Sequence, residues 1–399
     1  MTSSQPPPSG PASPQRIPLW RDERFLRILG QAIFLLLLAA FLGYLGNNML
    51  ANLRQQGLAL GFDFLRTTSG FDIGEHAIPY DRSSTYLRAF TVGLINTALV
   101  SFLGIVFATL LGIIFGVGQL SGNLLVRWLA RAYIEILRNI PLLVLLIFLY
   151  SAVFIKFPRV KEALILPGPT YLTNRGVAIP WGLPTDTFNV YRIILGLGLL
   201  AATGVGLALN WYGKRTGRAP LSAVWGSLAF CAVAVLGWFA LPGAPLSPSL
   251  PEVQGLRLAG GLQLSPEFMT LLTGLVIYTS AFIADVVRAG IQAVSLGQVE
   301  AAKSVGLTSF QTLRLVVFPQ ALRVIIPPLT SQYLNLAKNS SLAVAIGYPE
   351  LFHVSGTVLN QSGRAVEVIV IVMSVYLSIS LLTSLLMNLY NRRIRLVER

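Results

Sequence analysis

The chain has 399 residues, 54% hydrophobic and 12% charged, half the roughly 25% charged of an average soluble domain. With a mean hydropathy of +0.67 and recurrent apolar runs of about 20 residues, the length that crosses a bilayer, it is a polytopic membrane protein. A soluble enzyme, a disordered chain and a secreted disulfide scaffold are excluded.

The net charge of +14 fits basic loops that fix membrane topology. No basic stripe interleaved with aromatics marks a nucleic-acid partner. Cys231 is the single cysteine, so an intramolecular disulfide and a cysteine metal cluster are excluded. His76 and His353 both fall in connecting segments.

In chain order, residues 1–27 open with MTSSQPPPSGPASPQRIP, a Pro/Ser-rich stretch expected to be a disordered tail. Hydropathy then predicts eight membrane helices, near 28–46, 88–118, 124–153, 191–211, 222–241, 267–292, 323–345 and 366–390. The third is interrupted by Arg131, Glu135, Arg138 and Pro141. Gly112 and Gly116 in the second form a small-xxx-small pair suited to close helix packing. The Gly/Ala-rich segments at 191–211 and 222–241 read as a peripheral hairpin facing lipid. Ser265-Pro266-Glu267 is a helix start: a capping hydroxyl, Pro at the first helical position, then an acid on the positive dipole end. Pro327-Pro328 is expected to break the seventh span near its start. The segments 47–87, 154–190, 242–266 and 346–365 read as outer caps rich in turns.

Basic clusters set the orientation. Arg16, Arg21, Arg24 and Arg27, then Lys214, Arg215 and Arg218, then Arg392, Arg393, Arg395 and Arg399 fall on one side of an even number of spans. The positive-inside rule makes that side, and both termini, cytoplasmic.

An ionisable group at the bilayer centre costs about 2.5–3.5 kcal/mol even on insertion scales, so those retained are informative. Glu135 and Arg138, and Asp285 and Arg288, sit at i,i+3 and are placed to neutralise each other. Lys338 stands alone in its span. Candidate substrate-path residues are Asn96, Thr97, Thr279, Ser280, Asp285, Lys338, Ser340 and Ser341. The competing reading of the hydroxyls is bonding to their own helix. Asp285 facing a cationic group, with Lys338 and Ser340 facing an anionic one, would hold both charges of a zwitterion.

Residues 293–322 are neither a span nor a charged linker. Short amphipathic pieces flank Gly306, Pro319 limits the second, and Glu300, Ala301 and Ala302 give the first a docking character. Glu300-Ala301-Ala302, Gly306 and Phe318-Pro319 together resemble the EAA loop of ATP-binding-cassette (ABC) importer permeases. The likeness extends to ARAYIEILRNIPLLVLL at 130–146, to RAFTVGLINTALVS at 88–101, and to YTSAFIADVVRAGI and FPQALRVIIPPLTSQYLNLAKNSSLA on either side of the loop. These are similar to the polar-amino-acid branch. The loop FDFLRTTSGFDIGEHAIPYDRSSTY at 62–86 and the added hairpin point to its general L-amino-acid permeases. Lys338-Asn339-Ser340-Ser341 departs from the Lys-Asp-Thr-Ser of many relatives.

The resemblance implies an all-α membrane protein of about eight transmembrane helices, with a type I ABC importer permease core. The division is a cytoplasmic tail at 1–27, a first helix and periplasmic loop at 28–87, a permease domain at 88–391 and a basic tail at 392–399. Within the permease domain lie the inserted hairpin, 191–241, and the coupling loop, 293–322. Glu300, Ala301, Ala302, Gly306 and Pro319 are implied to couple to separate ATPase subunits that hold ATP and Mg²⁺, this chain carrying no cofactor of its own. The other implied partners are a second permease subunit, homologous or identical, and a periplasmic amino-acid-binding protein. Amino acids are the implied substrates and the bacterial inner membrane the location. No GxxxxGK[ST] phosphate loop occurs in the chain. An ion-coupled secondary amino-acid transporter is the alternative, but no inverted repeat pairs the halves. A membrane-embedded lipid-modifying transferase would need convergent His, Asp, Glu or Cys groups, which the sequence lacks.

Overall fold

The computed structural model describes residues 23–55, 61–216 and 221–394. The Pro/Ser-rich opening, Arg218, Arg395 and Arg399 lie outside these residues. The chain divides into two units, 1–63 and 64–399. The described part of the first is chiefly the helix α1 (Glu23–Gln55), whose first turn carries an Arg27–Glu23 ion pair of 2.9 Å.

The second unit begins with a loop that leads into α2 (Tyr86–Gly118), α3 (Leu124–Arg138) and α4 (Leu142–Phe148). Short strands β1 (Leu164–Leu166), β2 (Thr170–Thr173), β3 (Gly176–Ile179) and β4 (Trp181–Pro184) precede a helical hairpin, α5 (Phe188–Thr216) and α6 (Ser222–Ala240). Strands β5 (Leu246–Ser249), β6 (Glu252–Gln254), β7 (Arg257–Ala259) and β8 (Leu262–Leu264) follow it. The chain closes with α7 (Pro266–Gln292), α8 (Leu296–Ser304), α9 (Ser309–Thr312), α10 (Phe318–Asn339), α11 (Leu351–Ser362) and α12 (Ala365–Ile394). Among the described residues seven helices are long and apolar enough to cross a membrane, or eight if the bent α3–α4 pair is one span.

Helix starts follow from local chemistry. The Ser265 hydroxyl accepts the Phe268 amide at 3.0 Å and Pro266 occupies the first turn, so α7 begins where its sequence predicts. Thr85 caps α2 through the Arg88 amide, and the Glu350 carboxylate caps α11 through the Phe352 and His353 amides.

Two hydrophobic cores result. The larger packs α2, α7 and α10 with α3 and α4, through Val100, Ala108, Leu146, Leu275, Ile283 and Leu336. The second, at the other end of α2 from Gly118, joins Phe64, Ile73, Tyr80 and Tyr86 to Leu351, Val354 and Val358 of α11 and Val368 of α12. Within the larger core α2 and α7 approach closely. A Cβ on Gly116 would stand 2.7 Å from the Ala284 carbonyl, and one on Gly112 would meet Ile283.

Three local expectations change. The third span is two helices meeting at 101°, because Pro141 lacks the N–H that would continue α3 and instead opens α4. Pro327 and Pro328 do not break α10, which runs through both. Their rings are exposed, so no neighbouring helix is displaced by them. The outer segments at 154–190 and 242–266 contain strands as well as turns. An antiparallel sheet of order β1-β2-β3-β8 and a β4–β5 pair form there. Both unite the stretch before the α5–α6 hairpin with the stretch after it, so the insertion leaves and returns through paired strands.

Candidate functional site

The segment after α7 is built as a rigid peg. Val294 is buried in the main core, with Val299 packed against it. On α8, Ala302 is buried, whereas its neighbours Glu300 and Ala301 are exposed. A Schellman motif ends the helix: the Gly306 amide donates to the Lys303 carbonyl at 2.9 Å and the Leu307 amide to Ala302 at 3.2 Å. It requires the left-handed conformation that Gly306 adopts, φ +84°, which a side chain resists. Directly after it, Thr308 and Gln311 form a reciprocal capping box that starts α9. A π-helical turn, Leu313–Val317, passes to α10, where Pro319 fits the first turn. Gln320 bonds Gln298 at 3.3 Å, tying α10 to α8.

This peg exposes large apolar side chains: Leu296 by 77%, Val305 by 77% and Phe310 by 69%. Exposed Glu300 and Ala301 lie among them in sequence. Apolar groups held out on a fixed backbone are the mark of a protein interface.

The other candidate residues divide by what they touch. The Asn96 amide donates to the carbonyls of Glu75 and Pro349, each at 2.9 Å. Thr97 accepts the Leu351 amide at 3.0 Å and donates to Gly93. Both residues pin the second core together. Ser280 bonds the Tyr133 hydroxyl at 2.7 Å, joining α7 to α3, and Thr279 is buried beside it. Ser340 and Ser341 donate to the carbonyls of Ala337 and Lys338, each at 2.8 Å, within their own turn. Their hydroxyls bond back to backbone, as the competing sequence reading has it.

Asp285 is held by Arg138 of α3 as well as by Arg288, the latter at 3.4 Å. The expected Glu135–Arg138 pair is absent among the described residues, because Arg138 reaches across to α7. Lys338 is exposed on α10, on the same stripe as Ser331 and Asn335. Asp285 and Lys338 stand at different levels of the bundle. Gly104 of α2 abuts Leu336 and Gly112 abuts Ile283; eight residues of helix separate those levels, about 12 Å at 1.5 Å per residue. To hold one amino acid between them, their side chains would have to span that rise.

Sequence reasoning missed Glu350. Its buried carboxylate accepts the Phe352 amide at 2.9 Å, the His353 amide at 2.8 Å and the Tyr376 hydroxyl at 2.9 Å. Burial pushes this carboxyl above its ordinary range, with those bonds pulling the other way. An acid just ahead of an apolar helical run was the available signal. Nearby, Glu75 accepts from the Ser265 hydroxyl, and burial raises its carboxyl too. A cleft of about 530 Å³ opens there, lined by Asp72, Glu75, Arg175, Glu267 and His353. Among the described residues, no cluster of three or more His, Cys, Asp or Glu is arranged to hold a metal ion.

A multi-pass helical bundle with a fixed apolar peg between two of its core helices has the build of a membrane-transport subunit that works against another protein. The chain belongs to the family described as "Binding-protein-dependent transport system inner membrane component", whose model matches residues 108–396. It is 44% identical over 382 residues to the general L-amino acid transport system permease protein AapQ of Rhizobium johnstonii, covering 95% of this chain and 94% of that one. It is 46% identical over 378 residues to the putative amino-acid ABC transporter permease protein YhdX of Escherichia coli, covering 93% and 94%. Similarity to the glutamate/glutamine/aspartate/asparagine transport system permease protein BztB of Rhodobacter capsulatus is 39% over 412 residues, covering 95% and 96%. The chain is thus a non-catalytic, multi-pass inner-membrane permease component of a binding-protein-dependent ABC transporter. Its family implies a binding protein and an ATPase as partners.

Proposed function

We propose that this permease imports L-amino acids of broad range and forms half of a transmembrane pathway with a second permease subunit, homologous or identical. The relatives named above, each similar over nearly its whole length and each an amino-acid permease by name, support the substrate class. Substrate arrives from a periplasmic amino-acid-binding protein, at the end of the bundle that carries the strands and the second core. Both termini and the 293–322 segment face the cytoplasm, where separate ATPase subunits bind ATP and Mg²⁺.

The observation that carries the coupling role is the peg itself. Glu300, Ala301, Ala302 and Gly306 sit on a short helix with a fixed end, with Leu296, Val305 and Phe310 projecting beside them. Pro319 opens α10, so a push on the peg is delivered to both α7 and α10. That is the small sliding of packed helices on which an alternating-access switch relies. The pathway runs along the exposed Ser331–Asn335–Lys338 stripe of α10, polar groups that this chain leaves uncovered. Intramembrane polar groups face a bundle interior or a cavity, so a second subunit stands opposite. Asn96, Thr97, Thr279, Ser280, Asp285, Ser340 and Ser341 support the helices around the path.

The test is reconstitution with an ATPase subunit and a binding protein, assayed with a panel of labelled amino acids. Lys338→Met is expected to abolish most uptake while assembly and basal ATP hydrolysis persist; uptake at the wild-type rate would remove the α10 stripe from the pathway. Deleting 296–306 is expected to release the ATPase subunit. Orientation is tested by impermeant thiol labelling in a Cys231-free chain, at exposed Ser83→Cys and Thr216→Cys. Labelling of both from one side overturns the topology. Ser69 is a poor probe, being buried and bonded to Tyr80.

A further inference from the structure

A cleft of about 340 Å³ lies between the C-terminal end of α2, the polar face of α3 and the last turns of α7. It is large enough for a small ligand or headgroup. Arginines 131, 138 and 288 line it, with Glu135 and Asp285. Asp285 is already met by Arg138 and Arg288. Arg131 and Glu135 make no ion pair among the described residues, and the cleft as a whole is left with one net positive charge.

Two donors in it are unmet. Gln119 is 93% buried, with a relative exposure of 7%, lines the cleft, and its Nε2 has no partner among the described residues. The buried Nε of Arg288 has none either. Native folds rarely leave such groups unpaired, because a buried donor without an acceptor forfeits its hydration. Both unmet groups donate only or can donate as they stand, and the surplus charge is positive. The complement is an acceptor-rich anion.

We propose that this cleft is an oxyanion site, taking a carboxylate or phosphate group carried by a small solute or by an anionic lipid headgroup. The Gln119 amide and the Arg288 Nε–H supply directed donors, and Arg131 supplies the unpaired charge. Arginine suits this task because its planar fork matches both oxyanions. The site joins three helices, one of which, α7, continues directly into the peg. Occupancy therefore braces the base of the coupling segment. The inference stands independently of the transported substrate, since it rests on unmet donors in this chain.

The test uses the full chain in phosphatidylcholine nanodiscs, titrated with sodium phosphate and with sodium L-glutamate against sodium chloride of equal ionic strength. Binding is read by calorimetry and by thermal unfolding, and the measurement is repeated in discs containing phosphatidylglycerol. Saturable binding beyond the chloride control is expected from at least one source. It is expected to weaken at least tenfold in Gln119→Leu and in the exposed-site variant Arg131→Gln. Gln119→Leu, which removes an unmet donor, is expected to unfold no earlier than wild type without ligand. A response to phosphate or glutamate assigns a soluble anion, and a response only to phosphatidylglycerol assigns a headgroup. Absence of saturable binding from all three, or wild-type affinity in both variants, overturns the proposal.

Discussion

The α2–α7 pair and the α5–α6 pair are written in nearly the same apolar alphabet and are used differently. The most apolar windows of α2 and α7 have mean hydropathies of 2.6 and 1.7, those of α5 and α6 have 2.0 and 1.9. Yet 28% and 56% of the first two windows are buried, against 6% and 11% of the second two. The hairpin packs on itself, through the Ala202 carbonyl against Gly226 and the Tyr191 hydroxyl on the Ala234 carbonyl at 3.1 Å. In lipid, hydropathy sets which segments enter the membrane; small residues and paired polar groups set which helices meet. Hydropathy alone therefore does not separate scaffold from ornament in this chain.

The largest effect is expected from a side chain forced between α2 and α7. Gly116→Leu places atoms where the Ala284 carbonyl and Val287 already stand, and overpacking costs about 1–3 kcal/mol or more when backbone must yield. Gly204→Leu on α5 enters open space. Size-exclusion profiles and thermal unfolding in one detergent are expected to show loss of folded protein for the first and none for the second. Equal behaviour would erase the distinction between the pairs.

Next in size is the coupling end. Gly306→Val must hold a β-branched residue at φ +84°, a region costing a non-glycine residue roughly 1–2 kcal/mol. No neighbouring atom blocks the side chain, so the strain stays local to the Schellman turn. Insertion and basal ATP hydrolysis by the assembled complex are expected to be normal, with substrate-stimulated hydrolysis several-fold lower. Unchanged stimulation would strike Gly306 from the coupling role.

A smaller effect is expected from removing the hairpin. Replacing 188–240 by a short Gly-Ser turn leaves β4 and β5 paired, from Pro184↔Leu246 to Trp181↔Ser249, and leaves an even number of spans. Co-purification with the ATPase subunit is expected to persist. If the shortened chain fails to assemble, the hairpin belongs to the scaffold.

Much of this was legible in the residues. Ser265-Pro266-Glu267 placed the start of α7, Gly112 and Gly116 marked a close approach, and the EAA loop marked the peg. Three things were not. Arg138 was paired with Glu135 because i,i+3 spacing is visible in one dimension, whereas its real partner, Asp285, lies across a helix interface. The strands around the hairpin were hidden because each has only three or four residues, too short for a periodic pattern, and the β3–β8 and β4–β5 pairings join segments roughly 60 to 90 positions apart. The bonds of Ser340 and Ser341 to their own turn were the third, because a hydroxyl's partner depends on a rotamer, not on composition.

The smallest effect concerns the outer core. Glu350 and Glu75 both have carboxyls raised above their ordinary value of 4.5 by burial. A raised carboxyl binds protons more tightly folded than unfolded, so its contribution to stability is full below pH 4.5 and is lost as pH rises through the folded value. Thermal unfolding of the wild type is expected to fall in temperature across that window. In Glu350→Gln the side chain does not titrate, and its single carbonyl oxygen accepts from only one of the two α11 amides, which bond different carboxyl oxygens. The midpoint at acid pH is expected to drop slightly, because the amide NH2 takes the place of one accepting oxygen and faces donors it cannot bond. Its decline with pH is expected to flatten, and to flatten further in Glu350→Gln/Glu75→Gln. The peg variant Gly306→Val serves as the control, since nothing that titrates is altered in it and its slope should match wild type. A slope unchanged in the double variant would mean that these buried carboxyls do not govern the pH response, and that the outer core is held by its apolar contacts alone.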